Sequence, residues 1–212
     1  MPACCARDYE KVFGSNAAAR AARRFRRRGL RGSAAALADL AGDVEGESVL
    51  EVGGGVGAIE LTLIVAGAER ATNVELAATY EEAAAGLIAE RHLEGRVDRR
   101  VAVFVAAAES IPQHDVVVLH RVVCCYPDVD ALVGAAAAHT RRRLLLTYPQ
   151  ERVVVRAVLS VMNAFMRITG STFEVYVHPV EQMAAAAGAH GLALTERRRH
   201  GIAWESAAYN RG

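Results

Sequence analysis

Four glycines within five positions, Gly53, Gly54, Gly55 and Gly57, follow an apolar run that contains one acid, Glu51, in the segment VLEVGGGVG. Removing β-carbons where a strand ends lets backbone amides come close to a ligand, at the crevice beyond the carboxyl ends of strands where open α/β sheets bind theirs. Glu75 ends the next apolar run, 22 residues after Gly53, about where an acid accepts hydrogen bonds from ribose hydroxyls. The two features point to one adenosine-containing ligand. Spacing alone leaves its identity open, because Gly53, Gly55 and Ala58 also satisfy the looser GxGxx(G/A) dinucleotide pattern. Glu51 tips the balance: a carboxylate in the turn repels a pyrophosphate and pairs with a cationic amino-acid group. S-adenosylmethionine has an α-ammonium and no phosphate, and is the favoured ligand.

A second concentration of reactive groups lies in HRVVCCYPD, where His120, Arg121, two thiols and Tyr126 fall within seven residues. His178, in VYVHP, is polar among apolar neighbours. A histidine or tyrosine can take a proton from an acceptor during group transfer, and either can equally serve as a locally bonded structural group. Arg23, Arg24, Arg26, Arg27 and Arg28 surround Phe25, a run that suits a carboxylate-bearing ligand or a solvated helix face. The adjacent pairs Cys4/Cys5 and Cys124/Cys125 lack the CxxC or HxxxH spacing of metal ligands, so no metal is expected. Neighbouring cysteines are also poorly placed to staple distant segments, which fits a reducing cytosol.

Alternating strands and helices must position these groups. Runs at 48–52, 71–74, 97–101, 115–119 and 143–147 read as strands, the fourth apolar from Val116 to Leu119, as a strand buried on both faces is. Helical patterns occupy 58–66, 77–92, 128–139, 152–168 and 180–190, and Ser33 is placed to cap another over 34–41. Such alternation implies a parallel sheet. Two β-like stretches at 192–197 and 202–209 read as a hairpin closing it. The expected fold is therefore α/β: a Rossmann-like, doubly wound, mostly parallel sheet with a C-terminal antiparallel hairpin strand. The helix 152–168 is apolar on more than one face, which core packing is expected to explain for the most part, with a lid over a lipophilic acceptor or a dimer face taking the rest.

The chain has 212 residues, a size for one domain, read as an arginine-rich helical arm over 1–32 and a main domain over 33–212. A composition of 52% hydrophobic and 23% charged residues with 5 prolines supports a buried core and excludes a disordered or collagen-like chain. The net charge of +1 is uneven, since residues 1–40 hold nine Lys/Arg against three Asp/Glu, which leaves −5 for the remainder. That distribution argues against general nucleic-acid binding and permits a basic local site. No signal-peptide pattern opens the chain and no apolar run nears the roughly 18 residues of a membrane span. A cytoplasmic location without a transmembrane segment is expected.

With an acid two positions before GxGxG, this order of elements and a terminal hairpin, the chain resembles the class I S-adenosylmethionine-dependent methyltransferases over about residues 34–209. The resemblance implies that Gly53, Gly55 and Gly57 form the cofactor turn, that Glu51 faces the methionine ammonium and that Glu75 faces the ribose. It implies further that the strand end at His120 borders the methyl-transfer site, with His120, Tyr126 and His178 around the transferred methyl. Many relatives carry Gly-Asp after the third strand where this chain has Ala102 and Val103; adenine recognition would then rest on backbone and apolar packing, with Glu109 a candidate substitute acid. A looser resemblance, to the magnesium-protoporphyrin O-methyltransferase branch, rests on Tyr9 to Phe13, Tyr126-Pro127, the 152–168 helix and Tyr176-Val177-His178. That branch has a histidine immediately before Tyr-Pro, and this chain has Cys125 there. The implied function is methyl transfer to an oxygen, carboxylate or hydroxyl, of an apolar or carboxylate-bearing small molecule, and a homodimer is compatible with it. Two other functions compete: an S-adenosylmethionine-binding regulatory or partner module without turnover, which Ala102-Val103 favours, and a nicotinamide-dependent oxidoreductase, which Glu51 and the hairpin disfavour.

Overall fold

The structure, a computed structural model, describes residues 13–212; Cys4, Cys5, Tyr9 and the rest of the first twelve residues lie outside it. Strands β1 (Ser48–Val52), β2 (Arg70–Glu75), β3 (Val97–Val101), β4 (His114–His120), β5 (Thr140–Pro149), β6 (Leu192–His200) and β7 (Trp204–Arg211) form one sheet in the order β3-β2-β1-β4-β5-β7-β6. The first five run parallel, and β7 enters antiparallel between β5 and β6. The expected architecture is present, including the closing hairpin. From β1 the chain builds outward through β2 to β3 and then returns to the other side of β1 as β4. That reversal opens a crevice at the carboxyl ends of β1 and β4.

Side-chain alternation along the strands divides the interior into two cores. Val49, Ala71, Val116, Val118 and Leu145 face α1 (Ser15–Arg28), α2 (Ser33–Ala41), α3 (Ala58–Val65) and α4 (Glu81–Ala89). Leu50, Val74, Val117, Leu119, Leu144 and Leu146 face α5 (Phe104–Ala107), α6 (Val129–Ala138) and, beyond it in the chain, α8 (Val180–Gly188). Each fully buried Leu or Val contributes about 1.5–3 kcal/mol, so both layers hold the strand ends in place. The edge strands are charged, β3 reading VDRRV and β6 carrying Arg197, Arg198 and Arg199, which discourages pairing with another chain.

Several expected elements shift. The helix placed at 77–92 is a short 3-10 turn, Ala78–Tyr80, leading into α4. β5 extends to Thr140 and Pro149 because β4 and β7 offer backbone partners along that length, whatever the hydropathy of its side chains. Ser33 does not cap α2: Gly32, at φ 58°, holds the cap position, and the Ser33 hydroxyl bonds His120 and Arg121 instead. Core packing does not account for α7 (Val153–Ile168), whose only buried residue is Val155. α7 starts beyond the end of β5, and the two cores over the central strands are filled by the other helices. Among the described residues, no helix is long and apolar enough to cross a membrane.

Candidate active site at the glycine turn

The turn after β1 has no room for side chains at Gly53 and Gly54. A Cβ on Gly53, whose φ is 63°, would lie 2.6 Å from Val122 Cγ2, and one on Gly54 would meet Asn73 Nδ2 at 2.3 Å and the Glu51 carboxyl carbon at 2.8 Å. The glycines thus let the turn pass between β4 and a buried polar network, and Gly53 N–H donates to Val74 O at 2.8 Å.

That network is built on Glu51, which is 2% exposed and accepts the Glu60 backbone N–H through Oε2 at 2.9 Å. Glu60, fully buried at the start of α3, accepts from Asn73 Nδ2 through Oε2 at 2.9 Å, and Arg99 Nη1 lies 3.6 Å from its Oε1. Arg99 also donates through Nη2 to Gly55 O at 2.9 Å and to Glu81 Oε1 at 2.7 Å, tying β3 and α4 to the turn. Burial, compounded by the charge of Glu60, pushes the Glu51 carboxyl well above the usual carboxylate range. Burial likewise raises Glu60, to about 7, against the opposing pull of Arg99. Glu75 caps the other side of the turn: Oε2 accepts Gly55 N–H at 2.8 Å and Oε1 accepts Ala77 N–H at 2.9 Å.

Two clefts meet at Gly53. One, of about 470 Å³, is mainly apolar and is lined by Val52, Gly53, Val74, Glu75, Ala102, Val103, Phe104, Val122, Cys125 and Tyr126 among others. The second, of about 980 Å³, runs under α1 and is lined by Glu51, Gly53, Gly54, Gly55, Tyr80, His120 and Arg121, with Arg24, Phe25, Arg31 and Ser33 from the arm side. Gly57 belongs to neither lining; at φ 77° it leads into α3, where a Cβ would meet Glu60 Oε1 at 2.2 Å. Glu109 is exposed and outside both linings.

His120, Tyr126 and His178 are not gathered in one place. His120 faces the larger cleft, where its Nε2 lies 3.0 Å from Ser33 Oγ. Arg121 Nη2 donates to the same oxygen at 3.1 Å; a hydroxyl oxygen can accept twice, so the direction of the His120–Ser33 bond follows the imidazole tautomer. Burial, with Arg121 and His200 nearby, lowers His120 to about 4, so its imidazole is neutral at pH 7. Tyr126 lines the apolar cleft instead, and burial pushes its phenol up. His178 stands behind it, bonded through Nε2 to Tyr126 O at 2.9 Å and stacked on Tyr176 with ring centroids 5.7 Å apart. The separation arises at Arg121, whose φ of 59° turns the chain sharply before the helical turn Val123–Cys125. The same bend puts its guanidinium 4.3 Å over the Trp204 ring, a favourable cation–π distance.

Sequence reasoning missed Glu60, Asn73, Arg99 and Trp204 as site components, and took Ser33 only as a helix cap. An acid in the otherwise apolar AIELTLIV and an amide inside β2 were legible as anomalies. Arg99 sits in a strand that reads as a charged edge, and nothing local marks it. Among the described residues, no group of three His, Cys, Asp or Glu is placed to hold a metal.

No protein-family model matches the chain, and no curated protein matches it by sequence. Solved structures do resemble it. The magnesium protoporphyrin IX methyltransferase of Synechocystis PCC 6803 with bound S-adenosylhomocysteine superposes with a TM-score of 0.68 at 18% identity, covering 84% of this chain and 81% of that one. An O-methyltransferase family protein of Burkholderia thailandensis gives 0.69 at 20%, over 85% of this chain and 55% of that one. The geranyl diphosphate C-methyltransferase of Streptomyces coelicolor A3(2), in complex with Mg2+, geranyl diphosphate and S-adenosylhomocysteine, gives 0.66 at 13%, over 85% and 78%. The chain therefore has the Rossmann-like fold of S-adenosylmethionine-dependent methyltransferases.

Proposed function

We propose that this protein is an S-adenosylmethionine-dependent methyltransferase acting on an oxygen of a small molecule. The observation that carries this reading is the pair of clefts meeting at Gly53, each with one buried carboxylate: Glu75 in the apolar cleft and Glu51 in the polar one. A nucleoside has an apolar base and a diol, and an amino acid has an ammonium; the two clefts offer matching surfaces on either side of a turn whose missing β-carbons let a ligand bridge them. In this reading Gly53, Gly55 and Gly57 shape the turn, Glu51 faces the ammonium, Glu75 the ribose, and Ala102 and Val103 pack against the adenine. When bound, the cofactor supplies an electrophilic methyl group.

The rest of the larger cleft receives the acceptor. Arg24, Arg31 and Arg121 suit an anionic acceptor, and a carboxylate oxygen needs no proton removed before it is methylated. A hydroxyl does, and His120 is the group placed to take that proton through Ser33 Oγ, in the tautomer that leaves Nε2 unprotonated; an anionic acceptor nearby would raise the imidazole from its lowered value and strengthen it as a base. Tyr126, with its raised phenol, shapes the cofactor side, and His178 orients it.

Titration calorimetry with acceptor screening by mass tests the reading. S-adenosylmethionine and S-adenosylhomocysteine should bind saturably and NADH should not, and one acceptor class should gain one methylene. For a hydroxyl acceptor, His120→Ala should lower turnover by roughly 10²–10⁴-fold and leave S-adenosylhomocysteine affinity within about threefold, because a base acts in the transition state. NADH binding in place of S-adenosylhomocysteine would overturn the cofactor assignment. Tight cofactor binding with no carboxylate or hydroxyl acceptor methylated would leave a binding module.

A further inference from the structure

Helix α7 is apolar on two sides. Val155, Leu159, Met162 and Met166, spaced 4-3-4, are buried or half-buried, and Asn163 fastens the helix to the segment that follows it: its Nδ2 donates to Val175 O at 2.8 Å and its Oδ1 accepts Val175 N–H at 3.0 Å. The other side carries Val154, Val158, Val161, Phe165 and Ile168, all more than half exposed. Their spacing is 4-3-4-3, the repeat by which one helix seats apolar side chains against another. Neither cleft of the candidate active site is lined by α7.

We propose that this seam pairs with the same seam of a second copy of the chain, the two α7 helices running antiparallel about a two-fold axis at Val161. The spacing reads nearly the same in both directions from Val161. An antiparallel partner therefore sets Val154 against Ile168, Val158 against Phe165 and Val161 against itself, the self-complementarity that an isologous contact requires. Charge points the same way. The only charged residues of α7, Arg156 and Arg167, lie on the side away from the seam at 3.6 residues per turn. Each is matched by an acid of its own chain, Glu151 at 3.4 Å and Glu174 at 3.8 Å. Seam and flanks, the latter including Ala157 and Ala164, are thus uncharged. A copy of the same neutral seam complements them, whereas an anionic lipid surface calls for cations beside the apolar stripe. Sixteen residues make a helix of about 24 Å, so the interface belongs to the small class below about 1,200 Å², with dissociation expected in roughly the micromolar range.

Sedimentation velocity of the full chain from about 1 to 100 µM, a range that spans such an affinity, should show a monomer–dimer equilibrium. Val161→Glu places two like charges on the axis and should give monomer at every concentration, with an unchanged circular dichroism spectrum as evidence that the exposed site leaves the fold intact. Val161→Cys should form an intermolecular disulfide on mild oxidation, whereas Arg156→Cys and the unsubstituted chain, which controls for the native thiols, should not. A wild-type monomer throughout this range, or a dimer unaffected by Val161→Glu, overturns the proposal. So does a monomer that binds phosphatidylserine vesicles through the seam, which would make the occupant lipid.

Discussion

Glu51 and Glu60 lie together in a buried network whose guanidinium, Arg99, stands beside Glu60, and burial with the neighbouring Glu60 charge pushes Glu51 well up, so Glu51 is the carboxyl expected to hold a proton before a cation arrives. An ammonium arriving beside Glu51 reverses the balance, since a nearby opposite charge favours the ionised form. Binding of S-adenosylhomocysteine at pH 7 should therefore release a proton, measured as a dependence of calorimetric heat on the ionisation enthalpy of the buffer, and affinity should rise with pH. Glu60→Gln removes the neighbouring charge that raises Glu51 and should reduce the release. Buffer-independent heats in the wild type would mean that Glu51 does not face the ammonium.

Helix α1 joins the body and the larger cleft as a single element. Ala18, Ala22 and Phe25 bury one side of it in the first core, and Arg91 stacks over Phe25 at 4.7 Å. Its other side presents Arg20, Arg23, Arg24, Arg27 and Arg28 around a shallow groove, while Arg26 pairs with Glu90 at 2.6 Å. Arg24 belongs to both groove and cleft, and Arg31 follows at the cleft mouth. An anionic acceptor entering there would meet both. Steady-state kinetics of the double variant Arg24→Ala/Arg31→Ala should show the KM for a carboxylate-bearing acceptor raised about tenfold or more, since hydrogen bonds to charged groups contribute about 1.5–3 kcal/mol each, with the cofactor KM within about twofold. An unchanged acceptor KM would make the arginine face a solvated surface.

For the molecule as a whole, Glu60 sets a pH dependence of stability opposite to that of ordinary acids. Glu60 is held near 7 in the folded chain against an ordinary value of 4.5, so the folded state binds its proton more tightly than the unfolded state does. The contribution is complete below about 4.5 and is lost as pH rises through 7, a change of roughly 3 kcal/mol at most. Asp115 and Glu205 work the other way: the Ser48 hydrogen bonds to Asp115 and the Arg197 contact to Glu205 outweigh the desolvation cost and lower both, so their stabilisation is lost as pH falls. Urea unfolding at pH 5.5 and 8.5 should show the wild type losing stability relative to Glu60→Gln at the higher pH, by about 2–3 kcal/mol. A constant difference between the two proteins would show that Glu60 titrates normally.

Periodicity and turn chemistry determined the alternating strands and helices, the glycine turn and the hairpin, because each depends on contacts within a few residues or on one repeated face. Glu51 and Glu75 were legible for the same reason: each lies at the carboxyl end of a strand that the residue pattern marks. What surrounds them was decided only by the tertiary structure. Arg99 reaches Gly55 across 44 residues and Ser33 reaches His120 across 87, and no local pattern encodes a partner at that distance. The tertiary fold also turned Ser33 from a cap into a link between His120 and Arg121, where two long-range hydrogen bonds outweigh the local one. It split His120 from Tyr126 by a single positive φ at Arg121. And it left one seam of α7 uncovered, because whether an apolar face is buried depends on what the rest of the chain has room to place against it.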